Sequence, residues 1–354
     1  MIDTAALRHN LSRVRELAPG CRVLAVIKAN AYGHGLTTAA EALAGADGLA
    51  VARIAEALAL REGGCRARIV LLQGVRDAGE LDAAAHHDLE LFVHQPWQVA
   101  LLEDFRGPQI LRVWLKIDSG MHRLGFAPAE VPAVAARLAA CRAVAQPIAL
   151  ATHLADAERT DLPVTAAQLR AFAAATAGLR GDRSIANSAG LVAWPDARAD
   201  WVRPGILLYG ISPFADRTGA DLALLPAMTF ETEVIAIRGV TAGERVGYGG
   251  TWTAPHDARI AVAAVGYGDG YPRSAANGTP VSVAGRPAAV AGQPSMDMLT
   301  IDVTDFAGGL AVGDRVELWG REVPIERVAA ASGTIAYELT CRVGRRVTFS
   351  TRGA

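Results

Sequence analysis

Lys28 and Lys116 are the only lysines among 35 basic residues, so almost every cation on this chain is an arginine. A guanidinium has a pKa above ~12 and offers no free lone pair, whereas a desolvated amine loses its proton and attacks a carbonyl to form a Schiff base. Lys28 ends the apolar run 23–27 and is followed by a polar turn with two glycines, Gly33 and Gly35. That pattern delivers one amine from a buried strand to a barrel or sheet rim. Lys116 closes a second apolar run, with Asp118 two residues on and Arg123 seven on. Arg123 reads either as the ion-pair partner of Asp118 or as a fork for a substrate carboxylate, whose two oxygens match a guanidinium.

Other residues fit an anion and a second base. Asn187-Ser188-Ala189-Gly190 and Gly205-Ile206 offer a hydroxyl and backbone N–H groups, which suit a phosphate. Tyr248, Tyr267 and Tyr271 sit beside glycines in ERVGYGGTW and VGYGDGYPR, so the backbone comes close to something and presents a phenol on a loop. Taken singly, these fragments are ordinary turns carrying a packed aromatic. His153 alone reads as a core histidine and His86-His87 as a solvent-facing loop, and the eight histidines show no metal-ligand spacing.

The elements that must position these groups alternate in type. A first helix carries Leu7, Leu11, Val14 and Leu17 at helical spacing behind Asp3 and Thr4, both plausible caps. Short apolar strands are expected at 22–28, 48–53, 67–73, 89–94, 111–118, 148–153, 184–187 and 206–209, with Ala/Leu-rich helices such as 131–140 and 165–179 between them. Eight βα units predict a TIM barrel over residues 1–225, whose chemistry gathers at the C-terminal ends of the strands. Lys28, Lys116, Asp118, His153 and Asn187-Ser188 fall at those ends, and Arg203-Pro204-Gly205 opens the strand expected at 206–209. Past Pro226 the pattern changes to alternation, as in 229–237 and 259–265, with turns at Asn277-Gly278 and Ala284-Gly285. A mostly β domain is therefore expected over 226–354, with two short helices at 325–331 and 334–341 and a last strand at 346–350.

Composition excludes several classes. A net charge of -1 leaves no basic excess for a phosphate backbone, so no nucleic-acid partner is expected. Four cysteines, far apart and without a CxxC pair, suggest neither a disulfide framework nor zinc, and fit reduced thiols in a cytosol. The first twenty residues form an amphipathic, arginine-dotted helix without the apolar core of a signal peptide, and no apolar run reaches membrane-spanning length. A cytoplasmic protein without a membrane partner is expected.

Together the motifs AVIKANAYGHG, KIDSGMHRLGF, THLADAE, NSAG, WVRPGILLYG, ERVGYGGTW, VGYGDGYPR, SMDM and GTIAYEL, in that order, resemble the alanine racemases over essentially the whole chain. These are pyridoxal-phosphate enzymes that pair a TIM barrel with a C-terminal β domain. The resemblance implies that Lys28 holds pyridoxal 5'-phosphate covalently and that Lys28 and Tyr248 are the two bases that interconvert L-alanine and D-alanine. It implies that Tyr32, Ser188, the Gly205 and Ile206 amides and Tyr337 bind the cofactor's phosphate, with Asn187 among the cofactor-binding residues. Arg203, with His153 beside it, would face the ring nitrogen; a guanidinium there cannot readily give up a proton, which weakens the electron sink and favours reprotonation over transamination. Arg123 and the Met296 backbone would receive the substrate carboxylate. Lys116, often carbamylated at the matching position in relatives, would support Arg123, Tyr267 would line the entrance, and Asp297 would be a further supporting residue. The resemblance also implies a homodimer with shared active sites. One departure is Gln293, where many relatives carry an arginine in the entrance corridor. A broad-specificity amino-acid racemase of the same fold would share the bases and differ in that corridor. A decarboxylase would need an acidic partner in place of Arg203, and a non-catalytic pyridoxal-phosphate carrier would lack the second domain and Tyr248.

Overall fold

The computed structural model describes every residue except Ala307, Arg345 and Ala354. The chain forms two compact units, one made of Asn10–Ala31 and Gly35–Leu208, the other of Met1–His9, Tyr32–His34 and Tyr209–Ala354.

The first unit is a closed barrel of eight parallel strands in chain order: β1 (Arg22–Val26), β2 (Gly48–Val51), β3 (Ile69–Leu71), β4 (Leu89–Val93), β5 (Val113–Lys116), β6 (Ala149–Ala151), β7 (Arg183–Ser184) and β8 (Trp201–Val202). The ring closes where Arg22 and Val23 pair with Trp201 and Val202. Strands covered on both faces read as continuous apolar runs, and Leu24, Leu49, Val70, Leu91 and Leu115 are all buried. The helix expected at 131–140 forms as Val131–Ala140, and the one expected at 165–179 as Val164–Ala175.

One expected strand is corrected. Residues 206–209 form a 3₁₀ turn, Ile206–Tyr209, in which Leu208 N–H reaches Gly205 O at 2.9 Å. The eighth strand is β8, so Arg203 follows a strand instead of opening one. A four-residue apolar run is buried equally well as strand or turn, and its periodicity does not distinguish them.

A polar knot fills the barrel toward the N-terminal ends of its strands. Glu90 on β4 is fully buried and pairs with Arg68 and, at 2.7 Å, with Arg112, while its second oxygen accepts the Trp114 indole N–H at 2.7 Å. Arg68 also lies 4.8 Å over the Trp201 ring, which Arg22 covers at 4.5 Å. Removing one partner of a buried ionic group strands the others, so Glu90→Ala is expected to lower stability by about 3 kcal/mol. Urea unfolding should show this, with Glu90→Gln losing less because its amide oxygen still serves Trp114.

The second unit is built on a closed, antiparallel six-stranded barrel: β9 (Phe230–Val240), β10 (Ala258–Ala263), β11 (Pro280–Val283), β12 (Arg286–Val290), β13 (Leu299–Asp302) and β14 (Arg315–Trp319). Ala284 (φ 49°) and Gly285 (φ 74°) make the tight turn between β11 and β12, with both central residues at positive φ as a two-residue hairpin demands. Two ribbons of two-residue strands complete the unit, Ile2–Asp3 beside Thr351–Arg352 and Arg245–Val246 beside Trp252–Thr253. The last strand is therefore Thr351–Arg352, not 346–350, and it exists because Ile2–Asp3 supplies a partner that local sequence cannot reveal. The short helices form as Ile325–Ala331 and Ala336–Arg342.

Candidate active site

At the C-terminal rim of the eight-stranded barrel the strands bring Lys28, Lys116, Arg123, His153 and Arg203 into one electrostatic neighbourhood. Burial pushes His153 well below the usual imidazole range, and the charges of Arg203, Lys116, Arg123 and Lys28 push it further. His153 is therefore neutral at neutral pH. Arg203 N–H donates to His153 Nδ1 at 3.3 Å, which leaves the ring proton on Nε2. The rest of the Arg203 fork donates to Ser184 Oγ at 2.7 Å, Thr152 O at 2.6 Å and Ile185 O at 3.3 Å. Burial lowers this guanidinium to about 10, still far above neutrality. Burial, reinforced by Arg203, lowers the Lys116 ammonium to about 7, although Asp118 opposes the shift. Its Nζ donates to Ile117 O at 3.1 Å.

Asp118 does not serve as an ion-pair partner for Arg123. Its Oδ1 accepts the amides of Gly120, Met121 and His122, each at 3.0 Å, and so shapes the turn that presents Arg123 on the surface. Past β7, Asn187 caps the helix Ser188–Ala193 by accepting Gly190 N–H at 2.9 Å, and Ser188 Oγ accepts Gly205 N–H at 3.0 Å. The two small-residue segments expected to hold a phosphate are thus hydrogen-bonded to each other, and Ile206 begins the turn behind Gly205.

The chain leaves Lys28 in an unusual conformation. Ala29, Asn30, Ala31 and Tyr32 all have φ between 52° and 56°, one turn of left-handed helix without a glycine. Such residues cost about 1–2 kcal/mol each, so the surroundings must dictate the turn. Glu56 accepts Ala29 N–H at 2.6 Å, Asn30 Oδ1 accepts Leu36 N–H at 2.9 Å, and Asn30 O accepts Gly35 N–H at 3.0 Å.

The other candidates lie in the second unit. Tyr32 stacks on Tyr209 at 4.8 Å and packs against Tyr337 at 5.9 Å, and burial raises its phenol above the ordinary range. Tyr248 stands 70% exposed between Gly247 (φ 73°) and Gly249 (φ 68°). Arg245 braces this turn by donating to Gly249 O at 2.7 Å and Gly250 O at 2.8 Å. Arg346 ties two loops together: it binds Asp269 at 2.7 Å, Asp297 at 2.7 Å and Met296 O at 3.3 Å. Tyr267 N–H meanwhile reaches Ser295 O at 3.0 Å, so the Tyr267 and Met296–Asp297 segments form one assembly. Sequence reasoning missed Glu56, Ser184, Arg245 and Arg346; Arg245 lies inside the ERVGYGGTW motif and Ser184 three residues before NSAG, whereas no motif flanks Glu56 or Arg346.

Residues 2–213 match the model of the alanine racemase N-terminal domain and residues 227–351 that of the alanine racemase C-terminal domain. The chain belongs to the alanine racemase family. Similar relatives of that family include the alanine racemases of Aliivibrio salmonicida, 50% identical over 98% of this chain and 96% of the relative, and of Vibrio cholerae, 48% identical over 100% and 98%. Among solved structures, the biosynthetic alanine racemase from Pseudomonas aeruginosa superposes with a TM-score of 0.95 at 44% identity, covering 100% of this chain and 98% of that one. The alanine racemase from Acinetobacter baumannii gives 0.93 at 39% identity, covering 100% and 98%.

Proposed function

We propose that this chain is a cytoplasmic, homodimeric racemase that interconverts L-alanine and D-alanine with pyridoxal 5'-phosphate. The observation that carries this reading is Arg203: a buried guanidinium held by a hydroxyl, two carbonyls and a histidine nitrogen, on the same barrel rim as Lys28. Those residues fit the cofactor, with an amine to bond it and a permanent N–H donor for its ring nitrogen. When bound, pyridoxal phosphate supplies the electron withdrawal that acidifies the α-hydrogen of an amino acid.

The chain's own residues do the rest. Racemisation removes the α-proton on one face and returns it on the other, so two bases are required. The Lys28 amine acts on D-alanine and the Tyr248 phenol on L-alanine, with Tyr248 supplied by a second copy of the chain. Ser188 and the Gly205 and Ile206 amides hold the phosphate, Tyr32 and Tyr337 have the same role in this reading, and Asn187 is a cofactor-binding residue beside them. Arg123 and the Met296 backbone take the substrate carboxylate, while Tyr267 lines the entrance. An absorbance spectrum followed by an alanine interconversion assay tests the proposal. A cofactor band and conversion in both directions are expected; a protein that binds pyridoxal phosphate and leaves both enantiomers unchanged would overturn it.

Lys116 is read here as carbamylated. An amine lowered to about 7 is half neutral at neutral pH, and only the neutral form attacks carbon dioxide, giving a carbamate anion and releasing a proton. The anion would pair with Arg123 and hold its fork in line, an arrangement supported by the cationic surroundings. Because the ammonium form cannot react, modification should rise as pH increases through 7 and fall below it. Carbon NMR with labelled carbon dioxide should show one carbamate signal that Lys116→Ala removes; a bare amine at pH 8 would contradict the assignment.

A further inference from the structure

One buried histidine near the rim is not used by this mechanism. His94 directly follows β4, and the pairing of Phe92 with Trp114 and of Val93 with Leu115 places it next in register beside Lys116. Alternation along each strand puts both side chains on the inward face that Glu90 and Trp114 occupy, where those two meet at 2.7 Å. His94 Nε2 lies 3.0 Å from Gln73 O, and a carbonyl only accepts, so Nε2 carries the proton and Nδ1 has the lone pair. Nδ1 is buried without a hydrogen-bond partner among the described residues, an arrangement that folded proteins seldom leave unfilled.

The ring has been built into place. His94 N–H donates to Gln98 Oε1 at 2.8 Å, and Gln98 Nε2 donates to Val75 O at 3.1 Å. Gly74 (φ +65°) makes room for that amide, because a Cβ there would fall 2.5 Å from Gln98 Nε2 and 2.3 Å from Phe92 O. Burial, with the Lys116 charge as a lesser cause, lowers the His94 imidazole, so the neutral ring persists at neutral pH. On the other side, Lys116 Nζ gives one bond to Ile117 O and has further donors to place.

We propose that His94 is the positioning residue for Lys116, its Nδ1 accepting a hydrogen bond from the Lys116 side-chain nitrogen and so fixing that side chain beside Arg123. The ammonium and the amine have N–H groups for both Ile117 O and His94 Nδ1, whereas the carbamate has one, which would pass from Ile117 O to His94 Nδ1. The inference rests on the reading of Lys116 and Arg123 as the carboxylate end of the site. Other charged or titratable groups that face Lys116 are Arg203, Asp118, Arg123 and His153.

The chain's two lysines make the test clean, since trace acetylation read by mass spectrometry reports Lys116 separately from Lys28. In buffer purged of carbon dioxide, His94→Leu removes an acceptor from the ammonium, so the labelling midpoint of Lys116 should fall by about one pH unit from about 7, about a fivefold gain in label at pH 6. KM for alanine should rise with little change in kcat. His94→Asn, whose Oδ1 can occupy the Nδ1 position, should restore both. A wild-type midpoint in His94→Leu overturns the proposal, and so does an Asn variant that behaves like Leu. A shifted midpoint with unchanged KM supports the contact and overturns only the carboxylate reading. If His94→Leu does not fold, nitrogen NMR of the wild-type ring decides: a hydrogen-bonded Nδ1 supports the contact, and an unbonded one overturns it.

Discussion

Mixing two inactive variants should restore racemase activity. Lys28→Ala removes the amine that bonds the cofactor and Tyr248→Phe removes the opposing phenol, so each alone is expected to lose about 10³-fold or more in kcat. If each site takes Lys28 from one subunit and Tyr248 from its partner, a mixed dimer gathers both defects in one site and leaves the other intact. After unfolding and refolding together in equal amounts, half the dimers are mixed and each has one good site, which predicts about a quarter of wild-type activity. The exposed phenol of Tyr248, on a turn braced by Arg245, is suited to entering a neighbouring subunit. Native mass spectrometry must show the mixed species; exchange without recovered activity means that both bases come from one chain.

Arg203→Glu should retain the cofactor, lose on the order of 10²-fold or more in kcat, and gain a long-wavelength absorbance band in the presence of alanine. A carboxylic acid at this position shares a proton with the ring nitrogen, whereas the guanidinium, at about 10, only donates N–H. The substitution also takes donors from Ser184 Oγ and Thr152 O, so thermal unfolding has to accompany the kinetics. Arg203→Lys separates charge from geometry, because an ammonium keeps the cation but cannot fork to four partners. An unchanged rate with no new band in the Glu variant would remove Arg203 from the mechanism.

The parts of the molecule legible in the sequence are those specified by neighbours along the chain. Val131–Ala140 and Ile325–Ala331 form where apolar spacing put them, because propensity and pattern agree there. Lys28 and Lys116 stood out because an arginine-rich chain kept an amine at the end of an apolar run. What escaped depends on distant partners. Nothing in Ala29-Asn30-Ala31-Tyr32 signals four positive φ angles; the turn requires Glu56, which lies 27 residues away from Ala29. Trp201–Val202 is a strand because both β1 and β7 offer it edges, while Ile206–Tyr209, with a stronger apolar pattern, has none. Asp118 looked like a counter-ion and instead organises three amides, a choice set by the backbone of its own turn.

Both large sheets close on themselves, which constrains how two copies of this chain can associate. A closed sheet has no unpaired strand, so neither barrel can extend by adding a strand from another molecule. Among the described residues, open sheet edges occur only on the two-residue ribbons, one of them the Arg245–Val246 and Trp252–Thr253 pair that flanks Tyr248. Such edges are too short to template intermolecular pairing. Copies must therefore meet through side chains and loops, whose contacts can part and re-form without disturbing a hydrogen-bond ladder, and the same closure protects concentrated protein from edge-to-edge aggregation.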